Sequence, residues 1–200
     1  MADIIRLIDE VSQISGNISF PELVKATTDH EVYKLQVEDR EDDKVLYSEI
    51  LKAANNFIGY VNRTRQRFQG DRINDVGKRI EEVFVEELKK SELRPLLLSS
   101  SGYPDMKIID QYDRVTYLES KAVSKNWDST FRSFYYTDGK KIDADARHLL
   151  IAWDIVEESP KYWLVRGFKL CDLYNLRMNL KLEFNSSNRA LYSPDLLLKS

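Results

Sequence analysis

The sequence predicts an α/β (α+β) chain with one central mixed sheet and a mainly helical N-terminal part. Apolar residues recur at helical spacing through about the first ninety positions. From about residue 95 they fall instead into short alternating or continuous runs of strand length. The Asp138-Gly139 pair between "SFYYT" and "KKI" adds a hairpin turn signal.

The elements follow in order. "DIIRLIDEVSQI" places Ile4, Ile5, Leu7 and Ile8 at mixed helical spacing. Ser19 before "FPELVKA" is a helix N-cap, with Pro21 near the first turn and Glu22 three positions on. "VLYSEILKAANNFIGYVNRTRQRF" repeats apolar residues at Leu46, Ile50, Ala53/Ala54, Phe57 and Val61, a long amphipathic helix. "INDVGKRIEEVFVEELKKS" is the next helix, with lysines near its end where the dipole favours them. The strands are "PLLLSS", "MKIID", "VTYLESKAV", "FRSFYYT", "ARHLLIAWDIV" and "YWLVRGFKLCDL". The last fifty residues, with Pro160, Pro194 and several Asn/Ser clusters, read as connections.

Two hundred residues, 42% apolar and 32% charged, suit one soluble globular domain. The longest apolar runs are too short to span a bilayer, and the first residues do not read as a signal peptide. Cys171 is the sole cysteine, which excludes an intrachain disulfide and fits a cytoplasmic setting; a small buried residue is expected there. His30 and His148 are the two histidines, too few for a His-rich metal site; His148 reads as a core-edge residue. Trp127, Trp153 and Trp163 are assigned to the core. Net charge is −3, but its distribution is uneven. Residues 29–49 hold eight acids against three bases, and residues 61–80 hold six bases against two acids. A polyanion favours the second region and avoids the first.

Chemistry concentrates in "GYPDMKIIDQYDRVTYLESKA", residues 102–122. Residues two apart on a strand share a face, so Val115, Tyr117, Glu119 and Lys121 point together. A short turn at "QYDR", centred near residue 112, brings "DMKIID" back alongside and sets Asp105 near Glu119 and Lys121. Two converging carboxylates repel unless a cation lies between them, and a hard divalent ion such as Mg²⁺ takes carboxylates, water and phosphate oxygens. An adjacent lysine orients or deprotonates an attacking water. Such a set hydrolyses phosphodiesters.

Pro104-Asp105 followed fourteen positions later by Glu119-Ser120-Lys121 resembles the PD-(D/E)xK nuclease motif, and the chain looks like a type II restriction endonuclease of that superfamily. The resemblance covers residues 75 to about 125 and implies a restriction-endonuclease-like αβββαβ core. Members of the superfamily carry a glutamate on the preceding helix in a G-x-x-x-E arrangement, and "GKRIE" supplies Gly77 and Glu81. At about 100° per residue from Gly77, Glu81 falls at about 40°, beside the apolar stripe of Ile73, Ile80, Phe84 and Leu88, while Glu82 falls at about 140° and points away. The resemblance thus implies Mg²⁺ held by Asp105, Glu119 and Glu81, with Lys121 activating water, and cleavage of double-stranded DNA to 5′-phosphate ends.

It also implies a homodimer and a cognate DNA methyltransferase in the same prokaryotic, cytoplasmic system. Residues 1–70 are the helical dimerisation and DNA-contact part, and 71–200 the catalytic core, of one nuclease domain. Candidate DNA contacts are Ser124, Lys125, Asn126 and Arg132 just beyond the lysine, Lys140 after the Asp-Gly turn, and Arg63, Arg65 and Arg67 in the basic region. A junction-resolving or repair nuclease on the same core, or a catalytically silent DNA-binding protein, stays open as an alternative.

Overall fold

The computed structural model describes residues 18–98, 102–124, 136 and 139–179. The chain divides into a compact unit, Ser19–Leu176, and a second unit of residues 1–18 with 177–200. Most of the second unit, including the helix expected at "DIIRLIDEVSQI", lies outside the described residues, as does the strand expected at "FRSFYYT" apart from Tyr136.

Three helices precede the main strands, at the places the periodicity indicates. Helix α1 (Phe20–Thr28) begins at a capping box: the Ser19 side chain accepts from Glu22 N–H, and the Glu22 carboxylate accepts from Ser19 N–H. Helix α2 (Glu41–Thr64) starts ahead of its apolar repeat and stops where Arg65 turns left-handed at φ 52°. Helix α3 (Ile73–Leu88) buries Val76, Gly77, Ile80, Phe84, Val85 and Leu88, while Glu82 is exposed.

Seven strands among the described residues build one mixed sheet: β1 (Val32–Tyr33), β2 (Phe68–Gln69), β3 (Arg94–Leu97), β4 (Met106–Ile109), β5 (Val115–Val123), β6 (Ala146–Ser159) and β7 (Tyr162–Asp172). The order is β2-β7-β6-β5-β4-β3, with β1 beside the start of β6. β5 and β6 run parallel, as do β1 and β6, and the remaining pairs are antiparallel. With its flanking helices this is the restriction-endonuclease-like α+β architecture that the motif context implies.

The faces of β5 are used differently. Leu118 and Ala122 join the main core with Leu149, Ile151, Trp153 and the apolar stripes of α2 and α3. Phe57, Phe84 and Trp153 meet edge to face there, both phenyl rings 4.9 Å from the indole. On the opposite face Tyr117 meets His148, whose ring lies against Phe20 of α1 and Tyr103. His148 is fully buried, accordingly further inside than the core edge, and its Nδ1 lies 2.7 Å from the Tyr103 hydroxyl. Burial pushes its pKa down to about 3. β5 is therefore covered on both sides, as a central strand must be.

Two expectations need correction. Cys171 is exposed, because β7 alternates its side chains and only part of one face reaches the core. The Asp-Gly pair does not lead into a strand: Gly139 to Lys141 are turn, with Ile142 N–H bonded back to Gly139 O. After that turn Ile142 is buried, while Asp143 stays exposed and pairs with Lys107 and the Tyr117 hydroxyl. Trp153 is core as expected, and Trp163 is half-buried with its Nε1–H donating to Gly70 O; Trp127 lies outside the described residues.

The turn between β4 and β5 is tied to α2 by charge. The Asp110 carboxylate accepts from the backbone N–H groups of Tyr112 and Arg114, shaping the turn, and pairs with the Arg114 guanidinium. Arg114 also reaches Asp42 and Asp43 at the start of α2. Asp43, fully buried, pairs with the buried Arg147 and accepts from Gln36 N–H at 2.8 Å. Replacing Asp43 by Ala strands Arg147 without its counter-ion. The variant is expected to lose about 3–5 kcal/mol of stability, read as a lower midpoint in urea unfolding.

Candidate active site

Asp105 and Glu119 are brought together by the β4–β5 register. Met106 pairs with Leu118 and Ile109 with Val115, and Leu98 N–H bonds to Asp105 O, carrying the ladder one residue past β4. Asp105 thus lies opposite Glu119, with the turn centre where the sequence places it. The Asp105 Oδ2 accepts from the backbone N–H of Ser120 at 2.8 Å, which fixes the carboxylate's direction. Ser120 points to the other face, where its Oγ accepts from Trp153 Nε1–H.

Glu119 is only 2% exposed. Its Oε1 pairs with Lys121 Nζ at 2.5 Å, while Oε2 is buried and finds no donor. Burial pushes the Glu119 pKa up, the neighbouring Asp105 charge adds to this, and Lys121 opposes both. A buried carboxylate oxygen without a donor is costly unless a proton or a cation meets it.

Helix α3 supplies the third acid. A Cβ built on Gly77 lies 3.8 Å from the Ala122 Cβ, so the helix and β5 approach closely at this turn. One turn on, Glu81 enters the field of the same carboxylates. Burial raises its pKa to about 8, with Asp105 and then Glu119 adding to the shift and Lys121 and Lys78 opposing it. Among the described residues no three His, Cys, Asp or Glu side chains are already drawn together as a ligand set. Asp105 is held by a backbone N–H and Glu119 by a lysine, and the repulsion that raises both glutamate pKa values also resists closer approach. The donor set nonetheless fits a hard divalent cation: carboxylate oxygens alone, one of them buried and unsatisfied, beside an ammonium.

A second lysine stands at this site, one the sequence motif does not include. Lys141 sits in the field of Asp105, Glu119 and Glu81, and its Nζ donates to the carbonyls of Gly102 and Pro104. No spacing rule links it to the motif, because it arrives from a turn twenty residues downstream of Lys121.

The remaining candidates are scattered. Ser124 follows directly on β5 and is half-buried; Lys125, Asn126 and Arg132 lie outside the described residues. Lys140 is exposed beside Lys141. Arg63 and Arg65 are exposed at the end of α2, whereas Arg67 is bound to Glu158.

Comparison with known proteins bears on this geometry. The model of the type II restriction enzyme MjaV family matches residues 14–195. The type II restriction enzyme MjaV of Methanocaldococcus jannaschii is 29% identical over 214 aligned residues, covering 96% of this chain and 92% of the relative. No solved structure gave a significant match.

The raised Glu81 pKa has a sign that stability measurements can read. An ordinary glutamate in the unfolded chain ionises near 4.5, so in the fold this carboxyl costs progressively more as pH rises from about 4.5 to about 8. Glu81→Gln is expected to stabilise the metal-free protein by roughly 1–3 kcal/mol at pH 8 and by little at pH 4.5. Urea unfolding in chelator at the two pH values checks this.

Proposed function

Because the chain belongs to the type II restriction enzyme MjaV family, we propose that Asp105, Glu119 and Glu81 hold the divalent cation, Mg²⁺, with which it cuts DNA. The enzyme is a site-specific endodeoxyribonuclease. The observation that supports this assignment of the site is the pairing of Asp105 opposite Glu119, with Lys121 on the same strand face.

When bound, the cation supplies Lewis-acid polarisation of the scissile phosphodiester. Asp105, directed by Ser120 N–H, and Glu119, with its unsatisfied Oε2, offer oxygens from adjacent strands. Glu81 completes the acidic set from α3. Lys121 keeps an ammonium beside Glu119, where it orients the attacking water and balances charge gathering on the phosphate. In-line attack leaves a 5′-phosphate and a 3′-hydroxyl.

The substrate is double-stranded DNA carrying a short site. Two strands must be cut, and a homodimer with two-fold symmetry matches a palindromic site. Ser124, Lys125, Asn126, Arg132 and Lys140 come from the segment after the catalytic strand, and Arg63, Arg65 and Arg67 from the end of α2; these are the proposed DNA contacts. With Arg67 already paired to Glu158, Arg63 and Arg65 are the better placed of the three. A methyltransferase of matching specificity protects the host DNA, and the enzyme works in the cytoplasm. No described helix is long and apolar enough to cross a membrane.

Digestion of several unmethylated DNAs with Mg²⁺ tests the proposal. Discrete fragments with 5′-phosphate ends are expected, abolished by chelator. Asp105→Ala and Lys121→Ala are each expected to slow cleavage at least about 10³-fold. Undiminished cutting by Asp105→Ala moves the site elsewhere, and metal-independent cutting removes the cation from the mechanism.

A further inference from the structure

We propose that Lys141 is a positioning residue: its ammonium clamps the loop that carries Asp105, and so sets the geometry of the cation site. The proposal rests on the assignment of Asp105 and Glu119 as ligands.

The clamp is visible in its partners. Lys141 Nζ donates to Gly102 O and, at 2.8 Å, to Pro104 O, the carbonyls on either side of Tyr103. Pro104 O belongs to the peptide group that joins directly to Asp105. These residues precede β4, and among the described residues no strand backbone donates to those two carbonyls. One charged donor serves both, and a charge-assisted hydrogen bond is about twice as strong as a neutral one. Tyr103 adds a second anchor through its hydroxyl at His148. Together they hold both ends of the loop against the covered face of the sheet.

The turn that presents Lys141 is itself built into the fold. Gly139 has φ +66°, and a Cβ there would lie 2.0 Å from Thr28 Cγ2, so its backbone is pressed onto α1. Two residues beyond Lys141, the Asp143 carboxylate takes Lys107 Nζ at 2.6 Å and the Tyr117 hydroxyl at 2.5 Å. The Asp143 N–H donates to that same hydroxyl. Tyr117 and Lys107 stand opposite each other on β5 and β4, on the face that holds Glu119. Lys141 is therefore not a swinging surface lysine. It is fixed from both sides to the strands that carry the acids.

Clamp and charge act in opposite directions on a cation, which makes the role testable. Loss of the clamp loosens Asp105 and weakens metal binding. Loss of a positive charge alone strengthens it. Mn²⁺ binding to the DNA-free protein, followed by electron paramagnetic resonance, is measured for wild type, Lys141→Met and Lys141→Arg, beside Mg²⁺-dependent cleavage. Lys141→Met is expected to lose about 10–100-fold in both Mn²⁺ affinity and cleavage rate, and Lys141→Arg, which keeps charge and donors, to recover most of each. Circular dichroism establishes that the variants fold; if Lys141→Met does not, Lys141→Gln takes its place with the same expectation. Unchanged affinity and rate overturn the proposal, and so does tighter Mn²⁺ binding, which assigns Lys141 a purely electrostatic effect. Asp105→Asn is the control for the underlying assignment. If it binds Mn²⁺ and cleaves like wild type, the assignment of the site fails. If it is inactive while Lys141→Met is normal, the clamp alone fails.

Discussion

The antiparallel register of β4 on β5 is the constraint on which the site depends. Met106 opposite Leu118 places Asp105 opposite Glu119, and a slip of one residue would turn every β4 side chain to the other face. Two features hold the register. Met106, Ile108 and Leu118 are fully buried in the main core, so a slipped pairing would expose them. Asp110 shapes the turn through two backbone N–H groups and, through Arg114, joins it to the start of α2. The start of α2 and the β4–β5 hairpin are thus joined by one charge cluster, although Asp43 and Asp110 stand 67 residues apart in the sequence.

Placing Glu119 in a strand covered on both faces creates a tension that the rest of the site resolves. A carboxylate 2% exposed, facing a second acid and near a third, destabilises the metal-free fold. Lys121 satisfies one Glu119 oxygen and leaves the other open. The same burial that is unfavourable for folding strengthens the attraction for a cation, because field lines in a poorly solvated site are weakly screened. The apolar contacts of Phe57, Phe84 and Trp153 lie on the other face of the sheet, apart from these charges.

The acidic motif was legible because its geometry is local. Hairpin pairing about a short turn fixes which residues oppose each other, and helical period alone put Glu81 beside the apolar stripe of α3 and Glu82 in solvent. Lys141 was not legible as a clamp. Its partners are backbone carbonyls nearly forty residues earlier, and a carbonyl carries no side-chain identity for a pattern to show. Cys171 misled for a related reason: composition says cysteines are usually buried, but its exposure depends on which face of β7 the neighbouring layers cover. Gly139 does lie in a turn, but the residues after it are not a strand; Asp143 there bonds Lys107 and Tyr117, side chains far away in sequence.

What the sequence by itself determined is what short-range physics decides: the capping box at Ser19, the long stripe of α2, the alternation of β5 and the juxtaposition of Asp105 with Glu119 and Lys121. Periodicity and turn closure act over a few residues, so they are written in order along the chain. What only the tertiary structure decided is how distant segments share charge and hydrogen bonds. Asp43 neutralises Arg147 across the fold, and Lys141 serves carbonyls of a loop far upstream. Those pairings exist because layer packing excludes water from groups that must then find partners in one another, and which partners meet is set by the fold's topology, which no local pattern encodes.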